Sequence, residues 1–499
     1  MLKKQKSVIE LIVVFALIYV GILAMENDYL LRSAVKDDLN FTSYFCNASL
    51  FEVIYAGGYK FRPVSSTILW ILAHICGENL YLYGYVNILF GAICALVIYY
   101  FAKDVFGSEL YGAIATVLYV VSRFSYYQIT TQLGVMETTS TLLGIVFVWK
   151  LYKYLDIGKS KYFYSAVVFY FLCSMSHERY TALMPILIYV WLMSDEKSKF
   201  DKKSVLYFKK PLITLGVFVG ILAIFQLLVT NMMVGTGGTV VTETISVESV
   251  YNNVIKSIKY IFGINTSEIW LTMIDWNSYS EKAKFTIIAS IIMIVIIVLI
   301  SAIEIIRMKK DERKRSLSKV GLFVLSVGAL VCVSSITIRV ELRWMYFPYV
   351  AAVFLLIYLT SIKSNRWIFS LKLACLVVYV ITMIGFGFYC RRYYTNLYYW
   401  PVYTAANSLS DCTYGEYEEK MYEKSWVIIA SGDLENSYED LMNQFDPYDQ
   451  YDLQLQVVRS VDELQSIDNI KEKEVLYYVE KEMKFTNVSN MVYELYTQE

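Results

Sequence analysis

Two adjacent carboxylates, Asp37-Asp38, follow the first apolar run of the chain. Carboxylates so placed can do two jobs. One can take a proton as a general base, and either can offer oxygen ligands to a divalent metal. The plain alternative is a solvated loop pair. The same segment ends in Gly57-Gly58-Tyr59-Lys60-Phe61-Arg62-Pro63-Val64. An arginine at the edge of an apolar segment can hold a phosphate through two parallel hydrogen bonds. It can also simply snorkel while Pro63 opens a helix. Glu137 stands just before another apolar run, where a carboxylate is costly unless paired or wet. Ser176-His177-Glu178-Arg179 packs a base and an acid beside an arginine between two apolar runs. A local salt bridge capping the turn explains that quartet equally well. Arg339-Val340-Glu341-Leu342-Arg343-Trp344 sets a glutamate between two arginines, with aromatics behind. A carboxylate flanked by guanidinium groups suits an anionic headgroup, as against an ion pair in an aromatic belt.

The elements that must position these residues are membrane helices. Of 499 residues, 57% are hydrophobic and 18% charged, where a soluble domain carries about 25% charged. Mean hydropathy is +0.45. Zero net charge gives no sign of a nucleic-acid partner. Apolar runs fall at 8–24, 80–101, 109–122, 138–152, 163–176, 180–193, 211–231, 285–306, 320–337, 345–361 and 367–388, so about eleven transmembrane helices are expected. A shorter run, 64–76, either lies along the membrane surface or begins the second span. The first run has no small-residue cleavage site after it and reads as an uncleaved helix. Cys76, Cys94, Cys173, Cys332 and Cys375 lie in or beside apolar runs and read as packing residues; Cys46 and Cys412 fall in the same class of outer segment, which permits a disulfide.

Lys and Arg placement sets the orientation. The loops with Lys150, Lys153, Lys159 and Lys161, with 195–210, and with Arg307 to Arg315 are basic and belong inside. The N-terminus is then cytoplasmic, and the chain is a multi-pass protein of the plasma membrane. Every polar group named above falls on the outer side. A charged site assembled from several loops on one membrane face is a functional hypothesis in its own right. Two units are expected: a transmembrane domain over 1–390 with outer loops 25–79 and 232–284, and an extracytoplasmic domain over 391–499. In the latter, 426–430 and 475–479 read as strands and 438–443 as a helix, which makes a small α/β domain.

The order of these motifs resembles the GT-C superfamily of membrane glycosyltransferases, and is most similar to its protein O-mannosyltransferase-like branch. That branch's acidic pair is matched by Asp37-Asp38, and its Arg-Pro-Leu element by Arg62-Pro63-Val64. Its loop glutamate is matched by Glu137. Its Lys-Glu element is matched by His177-Glu178, with histidine at the basic position. Its Glu-Arg-x-x-Tyr-x-Pro element is matched by Glu341-Leu342-Arg343-Trp344-Met345-Tyr346-Phe347-Pro348, with a leucine between acid and arginine. The resemblance spans roughly the first 390 residues; no tetratricopeptide repeat follows in the tail.

It implies an all-α polytopic fold and a polyprenyl-phosphate sugar as donor, drawn from the membrane lipid. Asp37 or Asp38 would take the proton of an acceptor hydroxyl on a glycan, lipid or protein. Arg62, Arg343 and Arg339 would bind the donor phosphate. Glu137, His177, Glu178 and Glu341 would orient sugar or arginines. The resemblance admits a divalent metal, Mg or Mn, at Asp37 and Asp38 without requiring one. Two rivals work on the same lipid-linked sugars: a polysaccharide polymerase or ligase, and a flippase. The spans carry few ionisable residues while the rim carries many, which weighs against transport. A third rival is a receptor whose business is the tail.

Overall fold

The computed structural model describes residues 2–26, 45–55, 61–77, 80–129, 134–194, 205–228, 246–264, 276–337, 340–362, 364–392, 425–429, 455–479 and 484–495. Its helices are α1 Leu2–Glu26, α2 Leu50–Tyr55, α3 Pro63–Cys76, α4 Leu80–Phe106, α5 Glu109–Val120, α6 Arg123–Ile129, α7 Gly134–Ile157 and α8 Ser160–Ser176. They continue as α9 Met184–Met193, α10 Val205–Leu228, α11 Val247–Ile261, α12 Glu281–Arg307, α13 Lys310–Ser335, α14 Tyr346–Ser361 and α15 Arg366–Arg392. Each expected apolar run falls largely on one of them; the 180–193 run begins in a 3-10 turn, Glu178–Leu183, and the end of the 211–231 run lies outside the described residues. Among the described residues, seven helical stretches are long and apolar enough to cross a membrane. α5 and α9, of 12 and 10 residues, are shorter than the roughly 20 residues of a straight span. The 64–76 run is a separate helix: Pro63 opens it, and Gly77, at φ 55°, ends it before α4 begins.

The core is aromatic. Phe101 of α4 packs on Phe354 of α14 with ring centroids 4.1 Å apart, and Phe323 of α13 closes the cluster. α12, α1 and α15 turn large apolar side chains outward, among them Ile9, Phe285, Ile303, Ile381 and Phe388, as membrane-facing helices do. Of the cysteines read as packing residues, Cys76, Cys94, Cys173 and Cys375 are buried, but Cys332 is exposed. It sits on an outward stripe of α13, which hydropathy alone cannot tell from an inward one. Cys46 Sγ lies 3.8 Å from the Ala73 carbonyl, and Cys412 is outside the described residues.

Two buried ion pairs pin opposite ends of α15. Lys372 is fully buried. It donates to Glu304 at 2.6 Å and to the carbonyls of Leu359 and Ile362 at 3.2 and 3.0 Å, closing the open end of α14. Arg391 donates from Nε and Nη2 to Glu26, at 2.9 and 2.5 Å, and to the carbonyls of Val121 and Val120 at 2.8 and 3.1 Å. It thereby joins α1, the α5–α6 junction and α15.

The tail carries a four-stranded sheet, β1 Ser425–Ile429, β2 Leu455–Val458, β3 Lys473–Val479 and β4 Lys484–Asn487, in the order β2-β1-β3-β4. β1 runs parallel to β2 and β3; β4 is antiparallel to β3. The two expected strands are the central pair. The expected helix at 438–443 lies outside the described residues.

α15 meets the α5–α6 junction through a glycine. A Cβ at Gly387 would come 2.0 Å from the Val121 carbonyl oxygen, a backbone atom that cannot swing away, whereas one at Gly385 would meet nothing within 4 Å. Gly387→Ala is therefore expected to lower the thermal stability of the detergent-solubilised protein, at a cost of about 1–3 kcal/mol. Gly385→Ala should be neutral or stabilising, by up to about 1 kcal/mol. Equal melting temperatures for the two variants would refute the close approach.

Candidate active site

Four elements deliver the charged cluster. Arg62 precedes Pro63, the first residue of α3, so it sits at a helix mouth rather than within a helix. Ser65, one turn on, donates to the carbonyl of Ser176 at 2.7 Å and ties α3 to the end of α8. Next comes a 3-10 turn, Glu178–Leu183, held by Tyr170 Oη donating to the Thr181 carbonyl at 3.1 Å. The staple and the turn bring Glu178 to Arg62 across 116 positions of sequence. Arg62 Nε donates to Glu178 Oε2 at 2.6 Å, and Nη2 to Oε1 at 2.5 Å. Nη1 faces Met136 Sδ at 3.1 Å. Both partners are buried.

Glu137 lies in the first turn of α7, where exposed backbone N–H groups favour a carboxylate. His177 bridges it to the pair: Nε2 is 3.5 Å from Glu137 and Nδ1 is 3.5 Å from Glu178. Nδ1 accepts from the Arg179 backbone N–H at 3.4 Å, so the ring proton of a neutral imidazole belongs on Nε2, toward Glu137. Burial, with Arg62 adding to it, pushes the His177 pKa down to about 4 despite the flanking carboxylates. Burial alone would raise Glu178, but the Arg62 charge and its hydrogen bonds hold that carboxyl well below the usual range. A second 3-10 turn, Leu342–Met345, carries Arg343, whose Nε donates to Glu341 at 2.5 Å. The leucine between acid and arginine puts that pair at one end of this turn. Gly144 of α7 leaves room for the following helix: a Cβ there would come 2.7 Å from the Phe347 ring.

Arg179 completes the group. Its guanidinium lies 3.7 Å from the centre of the Trp344 ring, a cation–π contact, and its buried Nε donates no hydrogen bond. Burial lowers its pKa to about 10, against the opposing fields of Glu137, Glu341 and Glu178. The cluster thus sets three arginines against three glutamates around one neutral histidine. Of the residues expected from sequence, Arg62, Glu137, His177, Glu178, Glu341 and Arg343 come together. Asp37, Asp38 and Arg339 lie outside the described residues. Arg179 and Trp344 were not singled out, although each is sequence neighbour to a residue that was. Among the described residues, no group of three or more His, Cys, Asp or Glu side chains could hold a metal ion. Both oxygens of Glu178 are in any case occupied by Arg62.

Residues 62–229 match the family model of dolichyl-phosphate-mannose-protein mannosyltransferases. The matched stretch begins at Arg62 itself and takes in Glu137, His177, Glu178 and Arg179. Over that stretch, about a third of its length, the chain is similar to this mannosyltransferase family. A solved structure, ArnT from Cupriavidus metallidurans in the apo state, is similar over 96% of this chain and 94% of that one, at 10% identity and a TM-score of 0.32. That likeness assigns nothing to individual residues. No curated protein sequence matches.

Two outcomes follow for this cluster. Glu178→Ala strands the buried Arg62 guanidinium, and loss of one partner of a buried pair costs about 3–5 kcal/mol. The melting temperature should fall steeply; an unchanged one would dissolve the pair. His177 binds its proton more weakly folded than unfolded. The unfolded chain therefore takes up protons first as pH falls, and wild type should lose stability between pH 6.5 and about 4. His177→Gln should show a flatter stability–pH curve over that window, and parallel curves would contradict a neutral buried imidazole.

Proposed function

We propose that this chain is a GT-C membrane glycosyltransferase that transfers a sugar from a polyprenyl-phosphate donor to a hydroxyl of a glycan, lipid or protein on the extracytoplasmic face. The observation that carries the proposal is the Arg62–Glu178 pair, joined through His177 and Glu137 to Arg179 and Arg343; all but Arg343 fall within the matched stretch. The N-terminus is cytoplasmic and the tail extracytoplasmic in this reading, following the distribution of Lys and Arg. The phosphate of the donor meets Arg62, Arg343 and Arg339. Glu137, His177, Glu178 and Glu341 orient those arginines and the sugar.

In the reaction, Asp37 or Asp38 accepts the acceptor's hydroxyl proton. The acceptor oxygen forms a bond to the anomeric carbon from the face opposite the phosphate. The anomeric carbon–oxygen bond to phosphate breaks, its electron pair leaves with the polyprenyl phosphate, and the carbon inverts through an oxocarbenium-like state. The arginines stabilise the charge that grows on the leaving phosphate. No step is routed through a metal. The product separates this reading from a lipid-linked polysaccharide polymerase or ligase, which would release polyprenyl pyrophosphate.

The experiment is transfer from a radiolabelled polyprenyl-phosphate sugar in membranes. Asp37→Asn and Asp38→Asn should insert normally. Loss of the base should depress transfer by about 10²–10⁴-fold in at least one variant. Full transfer in both would remove the base assignment, and pyrophosphate as product would remove the donor.

A further inference from the structure

A second arginine at the same end of the bundle is built differently from the rest. Arg123 opens α6, which packs against the 3-10 turn bearing Arg343 on one side and against α15 on the other. It is only 5% exposed. Its guanidinium sits between two rings, 4.6 Å from the centre of Phe124 and 5.6 Å from that of Phe386. Gly263, held at φ 91°, walls a third side, where a Cβ would come 3.4 Å from Nη1 and 3.2 Å from Phe386.

The Nε and Nη2 of Arg123 are buried and donate no hydrogen bond. These two groups form the side-on fork of a guanidinium, the edge that takes two oxygens at once. Two other arginines in this molecule show what the fork is for. In Arg62 it clasps both oxygens of Glu178, and in Arg391 it clasps Glu26. In Arg123 it is empty. The active-site cluster balances three cations with three carboxylates, whereas among the described residues Arg391 is paired with Glu26 and no carboxylate is paired with Arg123. Two aromatic faces offset part of the cost of burying that cation. They do nothing for the empty fork, and an unmet buried donor carries its own penalty.

We infer that Arg123 is a binding site for the phosphate oxyanion of a lipid, separate from the Arg62–Glu178 cluster. A phosphate offers the pair of oxygens that the fork lacks and a charge opposite to that of the guanidinium. The neighbouring helices favour a lipid as its source: α12 and α15 expose Phe285, Ile288 and Phe388 outward, so the walls of the site belong to the membrane-facing side of the bundle.

The test is native mass spectrometry of the full-length protein in detergent, counting bound polyprenyl monophosphate. Arg123→Gln should carry one lipid fewer than wild type, and an equal count overturns the proposal. Thermal unfolding without lipid serves as the fold control, and removal of an uncompensated buried cation should leave stability equal or higher. If Arg123→Gln does not fold, Arg123→Lys keeps the charge but loses the fork. It should bind the same lipid at least about tenfold more weakly, or about 1.4 kcal/mol; unchanged affinity refutes the site. Inorganic phosphate supplies the second arm. An Arg123-dependent phosphate adduct with no Arg123-dependent lipid would place the ligand in solution and overturn the lipid assignment. The count requires no sugar transfer, so it stands or falls apart from the donor reaction proposed above.

Discussion

Charge neutrality at the membrane edge is the constraint on which the site depends. Guanidinium groups are needed to meet a phosphate, yet a buried cation left alone is expensive. The chain resolves this by delivering each arginine with carboxylates beside it. Arg62 arrives on the mouth of α3 and Glu178 on the turn after α8. Arg343 carries its own glutamate two residues upstream. Arg179 shares the fields of three carboxylates and rests on an indole. Such a cluster is rigid when empty, since every member is fixed by another. A phosphate entering it must compete with glutamates for N–H groups, which favours a ligand whose charge grows during the reaction over one whose charge is constant.

The geometry that holds these pairs is backbone-deep. Ser65 reaches the carbonyl of Ser176, and Tyr170 reaches that of Thr181. Gly144 admits Phe347, which brings the Tyr346–Pro348 segment against α7. Small residues and side chain-to-backbone bonds serve where the bilayer gives no hydrophobic drive for helix association. The positions of Arg62 and Glu178 thus depend on groups that carry no charge at all.

Much of this was legible in the sequence. Eleven apolar runs each became largely helix, because hydropathy over such lengths has few other solutions. Arg62, Glu137, His177, Glu178, Glu341 and Arg343 were picked out as polar exceptions beside apolar runs, and they meet. What sequence could not show was partnership: nothing local says that Glu178 occupies the fork of Arg62. Arg123 escaped notice because it has no acidic neighbour in sequence, the same property that leaves its fork empty in space. Cys332 was misplaced because hydropathy reports that a helix is apolar, not which face turns out. In the tail, 426–430 and 475–479 stood out as β-branched and aromatic runs and lie on the strands Ser425–Ile429 and Lys473–Val479, while Leu455–Val458 and Lys484–Asn487 are short flanking strands with a weaker pattern.

The clasp between Glu26 and Arg391 has a consequence for biogenesis. Its acid is made with α1 and its base with α15, 365 positions later. Through most of translation the Glu26 carboxyl has no guanidinium to meet, so it must stay wet, or stay protonated, until α15 enters the bilayer. Arrival of that helix is then what closes the ring of spans. A nascent protein lacking that helix would display an unneutralised acid at the membrane edge, a feature by which quality control can tell an unfinished chain from a finished one.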